Sequence, residues 1–143
     1  MARTIAFYTV ESLIMTGKLL DTTILIDLFR GHEKAADFIE KDRNAKIPLF
    51  ISVISAMELV AGCRNQIEVE KTSKIVADFT LIHLSADATA KAYDLMLAYT
   101  KSHGLTIPDA LIAATAITDG IELATDNVRH FIMISDLIVK CPY

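Results

Sequence analysis

The sequence predicts a single-domain α/β protein built around a parallel sheet. Short apolar runs alternate with longer segments of helical periodicity, which is typical of strand–helix–strand units. The length of 143 residues suits one compact domain, and the chain contains no internal repeat, low-complexity tract or Pro/Gly-rich linker. An apolar fraction of 52% argues against an intrinsically disordered chain.

Short apolar runs predict the strands. The first covers residues 18–21 and ends in an acid, and Pro48 opens the second. The predicted strands after the first are 49–51, 80–84, 121–124 and, at an edge, 137–139. Helical spacing, caps and glycine stops predict the helices between them. The first predicted helix is capped by Thr22 or Thr23 and runs through Leu28. The next three cover residues 33–43, 52–62, which Gly62 stops, and 67–78. The last two run from Ser85 to Gly104 and over 109–119, with Pro108 in the first turn and Gly120 after the end.

Composition argues against several classes of protein. The chain has no run of about 18 uninterrupted apolar residues, so no membrane span is predicted. Its first residues lack a clear signal-peptide cleavage site. Cys63 and Cys141 provide neither a disulfide framework nor a C-x-x-C metal pair, which favours reduced thiols in the cytoplasm. A net charge of −4 argues against coating nucleic acid by electrostatics alone, but it does not exclude a nuclease.

Several acidic positions lie at or near predicted strand ends and helix starts, where functional groups gather in open α/β sheets. These positions are Asp21, Glu58, Asp109 and Asp126, the last followed by Asn127. Each has a structural explanation of its own. Asp21 could cap a helix, and Glu58 could belong to a solvated stripe with two serines. Asp109 could stabilise a helix N-terminus by about 0.3–1 kcal/mol, and turn chemistry could account for Asp126.

The combination of acids is more specific than any one of them. Divalent metals that hydrolyse phosphodiesters need hard oxygen ligands, and Mg²⁺ takes one or two carboxylates plus waters. The sequence offers no competing Ser/His or Cys/His arrangement and no glycine-rich phosphate loop. The histidines show no ligand spacing, and His83 is interpreted as a structural residue within a strand. The histidines are His32, His83, His103 and His130.

At this point four motifs resemble those of the PIN-domain family, in particular the VapC-type toxins of prokaryotic toxin–antitoxin pairs. Their order and spacing agree over about residues 17–135. The motifs are LLDTTILID at 19–27, SAMEL at 55–59 with a glycine at 62, PDALIAA at 108–114, and ATDNVRHF at 124–131. The resemblance implies a three-layer α/β/α fold with a short, mostly parallel sheet flanked by helices. It places the domain at residues 18–143, after an N-terminal extension over residues 1–17 of uncertain role.

The resemblance also implies an activity and a set of site residues. Asp21, Glu58 and Asp109 would hold Mg²⁺ or Mn²⁺, and Asp126 or Asn127 would complete the catalytic site. The implied enzyme is an endoribonuclease that uses metal-activated water to hydrolyse phosphodiesters in single-stranded or looped RNA. The resemblance further implies a homodimer and a small antitoxin that lays a segment over the active-site groove.

Two departures from the family pattern leave questions open. Thr23 stands where the family usually has Asn, so we expect altered geometry beside the first acid and not loss of the site. The usual fourth ligand position corresponds to Asn127, with Asp126 one place earlier, and the sequence leaves open which of them faces the metal.

Two alternatives to the ribonuclease concern the same residues. A phosphatase that forms a phospho-aspartate would need an acid at position 23, where Thr stands. The main alternative is a non-catalytic, acid-lined PIN-like binding or regulatory domain. Which RNA would be cut is not encoded in any recognisable motif.

The dimer is expected because helices bearing Leu25, Leu28 and Phe29, or Val60, carry more apolar surface than a small monomer readily buries.

Overall fold

The computed structural model describes residues 17–143, so the predicted extension lies, except for Gly17, outside the described residues. Five strands and six α-helices alternate in this part of the chain, as the sequence predicts. The strands are β1 (Lys18–Leu20), β2 (Leu49–Ser52), β3 (Thr80–Ile82), β4 (Glu122–Ala124) and β5 (Val139–Lys140). The helices are α1 (Thr22–Phe29), α2 (Glu33–Asn44), α3 (Val53–Ala61), α4 (Gln66–Val76), α5 (Ala86–His103) and α6 (Ile107–Asp119), with a short 3₁₀ turn at Val128–His130.

Element boundaries differ from the predictions by one to two residues. β3 ends at Ile82, so His83 lies beyond the strand with an exposed side chain, and its interpretation as a strand residue is wrong. α6 begins earlier than predicted, because the Thr106 hydroxyl accepts a hydrogen bond from the Asp109 backbone N–H at 3.4 Å and caps the helix. Ser85 caps α5 in the same way, as predicted, accepting from the Ala88 N–H at 3.0 Å.

All strand pairs are parallel, in the order β3-β2-β1-β4-β5. β1 is therefore the central strand, and Leu20 at its end pairs with Ile51 on one side and Ala124 on the other. The chain builds outward from β1 through β2 to β3, and then crosses over to add β4 and β5 on the opposite side. Such a reversal leaves a crevice at the carboxyl ends of the strands on either side of it, here β1 and β4.

Alternation along the central strands divides the core between the two faces of the sheet. Leu19 and Leu123 pack in one apolar cluster with side chains of α5 and α6. Leu20 and Ala124, the next residues, pack in a second cluster with side chains of α1, α2 and α3. Helices thus cover both faces, which confirms the predicted three-layer α/β/α arrangement. Within residues 17–143, none of the helices combines the length and apolar character needed to cross a membrane.

Candidate active site

Asp21 occupies the residue between β1 and α1 and is only 3% exposed. Its backbone N–H donates to the Ala124 carbonyl at 2.8 Å, which extends the β1–β4 pairing by one step. Asp21, and neither Thr22 nor Thr23, holds the N-cap position of α1, so that cap prediction is wrong. Its carboxylate does not bond to the described helix backbone, and the explanation of Asp21 as an ordinary side-chain cap fails as well.

The Asp21 carboxylate is held by two threonine hydroxyls. Thr23 Oγ1 donates to Asp21 Oδ2 at 3.0 Å, and Thr125 Oγ1 donates to the same oxygen at 2.8 Å. Thr125 follows β4, is fully buried, and accepts a hydrogen bond from the Asn127 N–H at 3.0 Å. Thr23 thus bonds to the neighbouring carboxylate, as expected for a hydroxyl at the position where the family usually has Asn.

Glu58 projects from α3 toward the start of α1. The Thr22 hydroxyl donates to Glu58 Oε1 at 2.9 Å and also lies 2.9 Å from Ser55 Oγ. Ser52 and Ser55 are both fully buried, so the stripe they share with Glu58 is not a solvated polar face. Only Glu58 at the end of the stripe is exposed, at the border of the crevice.

Asp109 lies in the first turn of α6, and its side chain is 23% exposed. Its pKa is raised, mainly by burial and then by the negative charges of Asp21 and Glu58. His130 opposes this shift, because its Nδ1 lies 3.4 Å from Asp109 Oδ2. The negative charges of Asp21 and Glu58 therefore act on Asp109, although the three acids come from separate elements of the chain.

Asp126 and Asn127 lie in the turn after β4, and both are exposed. The pKa of the Asp126 carboxyl is raised by burial and by the carboxylates of Asp27 and Asp21, and Thr23 opposes this shift. The charge of Asp21 therefore acts on the Asp126 carboxyl. Asn127 holds the N-cap position of the 3₁₀ turn. Its side chain makes no capping hydrogen bond to the described part of that turn.

Several residues of this site were missed in the sequence. His130 has no metal-ligand spacing in the sequence, and its partner Asp109 lies on another element. Thr125 was noted as part of a motif without a role of its own. Asp27 and Tyr143 form a hydrogen bond of 2.7 Å between residues that are far apart in the chain, a pairing with no local sequence signal.

The chemistry of the donor set fits a divalent ion that keeps much of its water. Within residues 17–143, no group of three or more His, Cys, Asp or Glu side chains is placed to hold a metal ion. The carboxylates nevertheless offer hard oxygens, and burial, followed by the charges of Asp21 and Glu58, raises the pKa of Asp109. Mg²⁺ commonly binds through one or two carboxylates and retains several waters, so it does not require a closed cage.

Comparison with known proteins identifies the family. The PIN domain family model matches residues 18–134 of the chain. The chain belongs to the PIN-domain family. Two relatives from Mycobacterium tuberculosis are similar to this PIN domain over most of its length. "Ribonuclease VapC10" is 37% identical over 120 residues, covering 83% of this chain and 89% of the relative. "Ribonuclease VapC19" is 36% identical over 121 residues, covering 84% and 96%.

Solved structures agree with this assignment. A chain of a toxin–antitoxin complex from Klebsiella pneumoniae superimposes on the PIN domain with a TM-score of 0.72 at 34% identity. The superposition covers 89% of this chain and 98% of the other. The sequence motifs and the parallel five-stranded sheet therefore both indicate the PIN-domain family, as the sequence predicted.

Crowding of the carboxylates predicts that Asp109→Asn stabilises the PIN domain at pH 7 in the presence of EDTA. A raised folded-state pKa means that the ionised form is disfavoured in the folded protein. The penalty thus grows as pH rises from the unfolded pKa of about 4 and is fully present above the folded pKa. Asparagine removes it, so the melting temperature should rise at pH 7, and the gain should shrink below about pH 4.

The control for this experiment is Asp87→Asn. Asp87 also lies in the first turn of its helix, α5, but is exposed. Its substitution measures the loss of a helix-dipole interaction alone, about 0.3–1 kcal/mol. If Asp109→Asn lowers the melting temperature as much as Asp87→Asn does, Asp109 is a helix-stabilising residue and not a crowded acid.

Burial of Asp21 predicts that the Thr125 hydroxyl contributes to stability. Thr125→Val keeps the side-chain volume but removes a donor to a charged, buried oxygen, and should lower the free energy of unfolding by about 1.5–3 kcal/mol. Thr125→Ser, which keeps the hydroxyl, should recover most of this loss. Urea denaturation measures both variants, and equal stability of the valine and serine variants would show that the hydrogen bond is dispensable.

Proposed function

We propose that this PIN domain is a metal-dependent endoribonuclease and the toxin of a type II toxin–antitoxin pair. The observation that carries the proposal is the buried Asp21 carboxylate at the carboxyl end of the central strand, where Thr23 and Thr125 bind it. The charges of Asp21 and Glu58 also act on Asp109. Relatives named as ribonucleases, which match more than four-fifths of the chain, support hydrolysis of RNA. The preference for Mg²⁺ or Mn²⁺ is part of the proposal and follows from the oxygen donors.

In the proposed mechanism, Asp21, Glu58 and Asp109 would hold the divalent ion, and Asp126 would complete the site in preference to Asn127. When bound, such an ion lowers the pKa of a coordinated water and stabilises negative charge on phosphoryl oxygens. Thr23 and Thr125 orient the Asp21 carboxylate toward this position. His130 favours the ionised form of Asp109, which is the form that can bind a cation.

The alternative is a non-catalytic PIN domain that uses its acid-lined crevice only for binding. Its distinguishing outcome is the absence of RNA cleavage with any divalent metal. A phospho-aspartate phosphatase is disfavoured by the contacts of Thr23, whose hydroxyl bonds to Asp21 where that mechanism would need a second acid.

A groove of about 620 Å³ between α1, α3 and α4 supports the proposed antitoxin partner. Its apolar lining includes Ile26, Phe29 and Leu59, and Glu58 lies at its border. An antitoxin segment in this groove would reach the acidic crevice directly, and a basic side chain on it would find complementary charge there. The Klebsiella pneumoniae neighbour is itself part of a toxin–antitoxin complex, which supports this class of partner.

Of the two apolar surfaces expected for the proposed homodimer, the one around Val60 is the better supported. Leu25 is buried in the core, so it is not available to a partner, and this part of the expectation is wrong. Met57 and Val60 lie three residues apart on α3 and are exposed. They form a small apolar patch that a second copy could cover.

We also place the protein in the cytoplasm, since its two free cysteines, Cys63 and Cys141, suit a reducing compartment.

Cleavage of RNA tests the proposed function. Purified protein should cut a mixture of single-stranded and looped RNAs in the presence of Mg²⁺ or Mn²⁺ and stop when EDTA is added. Asp21→Asn, Glu58→Gln and Asp109→Asn should each reduce the rate by at least about a hundredfold while circular dichroism remains unchanged. The exposed carboxylate Asp87 of α5 provides the control, and Asp87→Asn should cut at the wild-type rate. A wild-type rate for Asp109→Asn would rule out the proposed mechanism.

Sedimentation tests the dimer. The wild-type protein should sediment as a dimer at micromolar concentration, and Val60→Glu should shift it toward monomer by placing a charge on the patch. Ile138→Glu also places a charge on an exposed apolar side chain, but outside α3, and should leave the dimer intact. A wild-type protein that sediments as a monomer would contradict the dimer directly.

A further inference from the structure

Ser55 is the one polar side chain of α3 that solvent does not reach. The helix, Val53–Ala61, is otherwise apolar except for Glu58, and Ser55 is fully buried. A buried hydroxyl destabilises a protein unless it is hydrogen-bonded, and a serine inside a helix often bonds to a carbonyl of the preceding turn. In the described part of the chain Ser55 makes no such bond, and its partner is Thr22 Oγ1 at 2.9 Å. The hydroxyl therefore contacts α1, the helix that starts at Asp21.

The number of available protons decides the direction of this contact. Thr22 Oγ1 lies 2.9 Å from Ser55 Oγ and 2.9 Å from Glu58 Oε1. A hydroxyl has one proton to donate and can also accept, whereas an ionised carboxylate only accepts. The Thr22 proton therefore goes to Glu58, and the Ser55 proton goes to Thr22. The three side chains form a chain of two hydrogen bonds that runs from the core to the carboxylate at the border of the crevice.

This arrangement restricts the Glu58 carboxylate. Glu58 is exposed, and an unbonded glutamate of this kind samples several rotamers. Thr22 is the first residue of α1 and is 8% exposed, so its hydroxyl is a fixed partner. Because Ser55 donates to Thr22, the Thr22 proton remains directed at Glu58. The carboxylate is thus held against the residue that follows Asp21, at the carboxyl end of the central strand.

We propose that Ser55 and Thr22 are positioning residues of the active site, which together hold the Glu58 carboxylate at the start of α1, where the divalent ion would bind. The inference rests on the proposed metal-dependent ribonuclease and extends it to two hydroxyls. Ser55 is fully buried, so it touches neither RNA nor a metal ion, and its effect passes through Thr22. The competing explanation is that the two hydroxyls only join α1 to α3.

The test is a double-mutant cycle between Ser55→Ala and Thr22→Val, measured as kcat and KM for RNA cleavage. Ser55→Ala should lower kcat by about twofold to tenfold, and Thr22→Val by about tenfold to a hundredfold, since the valine removes a donor to a charged group. KM should not change, because the RNA-binding surface is kept. In the Thr22→Val background, Ser55→Ala should have no further effect on kcat. Thr22→Ser, which keeps the hydroxyl, should recover most of the rate.

The melting temperature separates positioning from a role that is only structural. Thr22→Val leaves the buried Ser55 hydroxyl without its partner and should melt lower than wild type. Adding Ser55→Ala removes the unpaired hydroxyl, so the double variant should melt higher than Thr22→Val while its kcat stays low. If the hydroxyls only joined the two helices, kcat would recover together with stability.

Thr115→Val is the matched control for the loss of a buried hydroxyl. This threonine of α6 is 2% exposed and donates to the Leu111 carbonyl at 2.8 Å. The valine variant should melt lower than wild type and still cut RNA at the wild-type rate.

A third readout does not depend on cleavage. Isothermal titration calorimetry with Mg²⁺ should give a Kd that is about twofold to tenfold higher for Ser55→Ala than for wild type, and higher still for Thr22→Val. The Kd should be unchanged in Thr115→Val. Weaker Mg²⁺ binding by the two site variants, in a protein that cuts no RNA, would support the placement of Glu58 and reject the ribonuclease separately.

Three outcomes would overturn the inference. Wild-type kcat and Mg²⁺ affinity in Ser55→Ala would show that its hydroxyl has no role in the site. A further loss of kcat on adding Ser55→Ala to Thr22→Val would show that Ser55 does not act through Thr22. A wild-type protein that binds no Mg²⁺ would lack the ion for which the pair is proposed to hold Glu58.

Discussion

The buried carboxylate of Asp21, at the carboxyl end of the central strand, imposes strict requirements on its surroundings. A charged group that is 3% exposed is costly unless hydrogen bonds satisfy it. The donors come from two elements, Thr23 of α1 and Thr125 after β4. Both reach the same oxygen only because β4 pairs with β1 in register and α1 begins immediately after the strand. Sheet register, helix start and closing turn are therefore coupled through one charge.

The remaining acids are arranged around this charge with less protection. Glu58 receives a hydroxyl from Thr22, and Asp109 has the partial support of His130. Burial and repulsion nevertheless raise the pKa of Asp109, so the compensation is incomplete. A site that binds a cation needs such an excess of negative charge, because a fully neutralised cluster would have little to gain from the ion. The hydroxyls therefore orient the acids without neutralising them.

Much of the fold follows from local sequence patterns. Apolar alternation identified the strands, and Ser85 and Gly104 marked the ends of α5 because capping and left-handed backbone are properties of single residues. The acid positions were recognisable because each belongs to a local motif. The N-terminus of α1 was assigned wrongly, since Asp21 and Thr22 are both plausible caps and only the β1–β4 pairing favours Asp21. Leu25 was misplaced on the surface because the pattern of α1 is apolar on most sides.

The sequence by itself determined the order and type of the elements and the four acids that the family motifs contain. These features depend on neighbours a few residues away, which one strand or one turn of helix brings together. Only the tertiary structure decided that Thr125 binds Asp21, that His130 pairs with Asp109, and that Tyr143 binds Asp27. Those contacts join distant segments across the sheet edge. Their geometry depends on strand order and on the turn after β4, which no local pattern encodes.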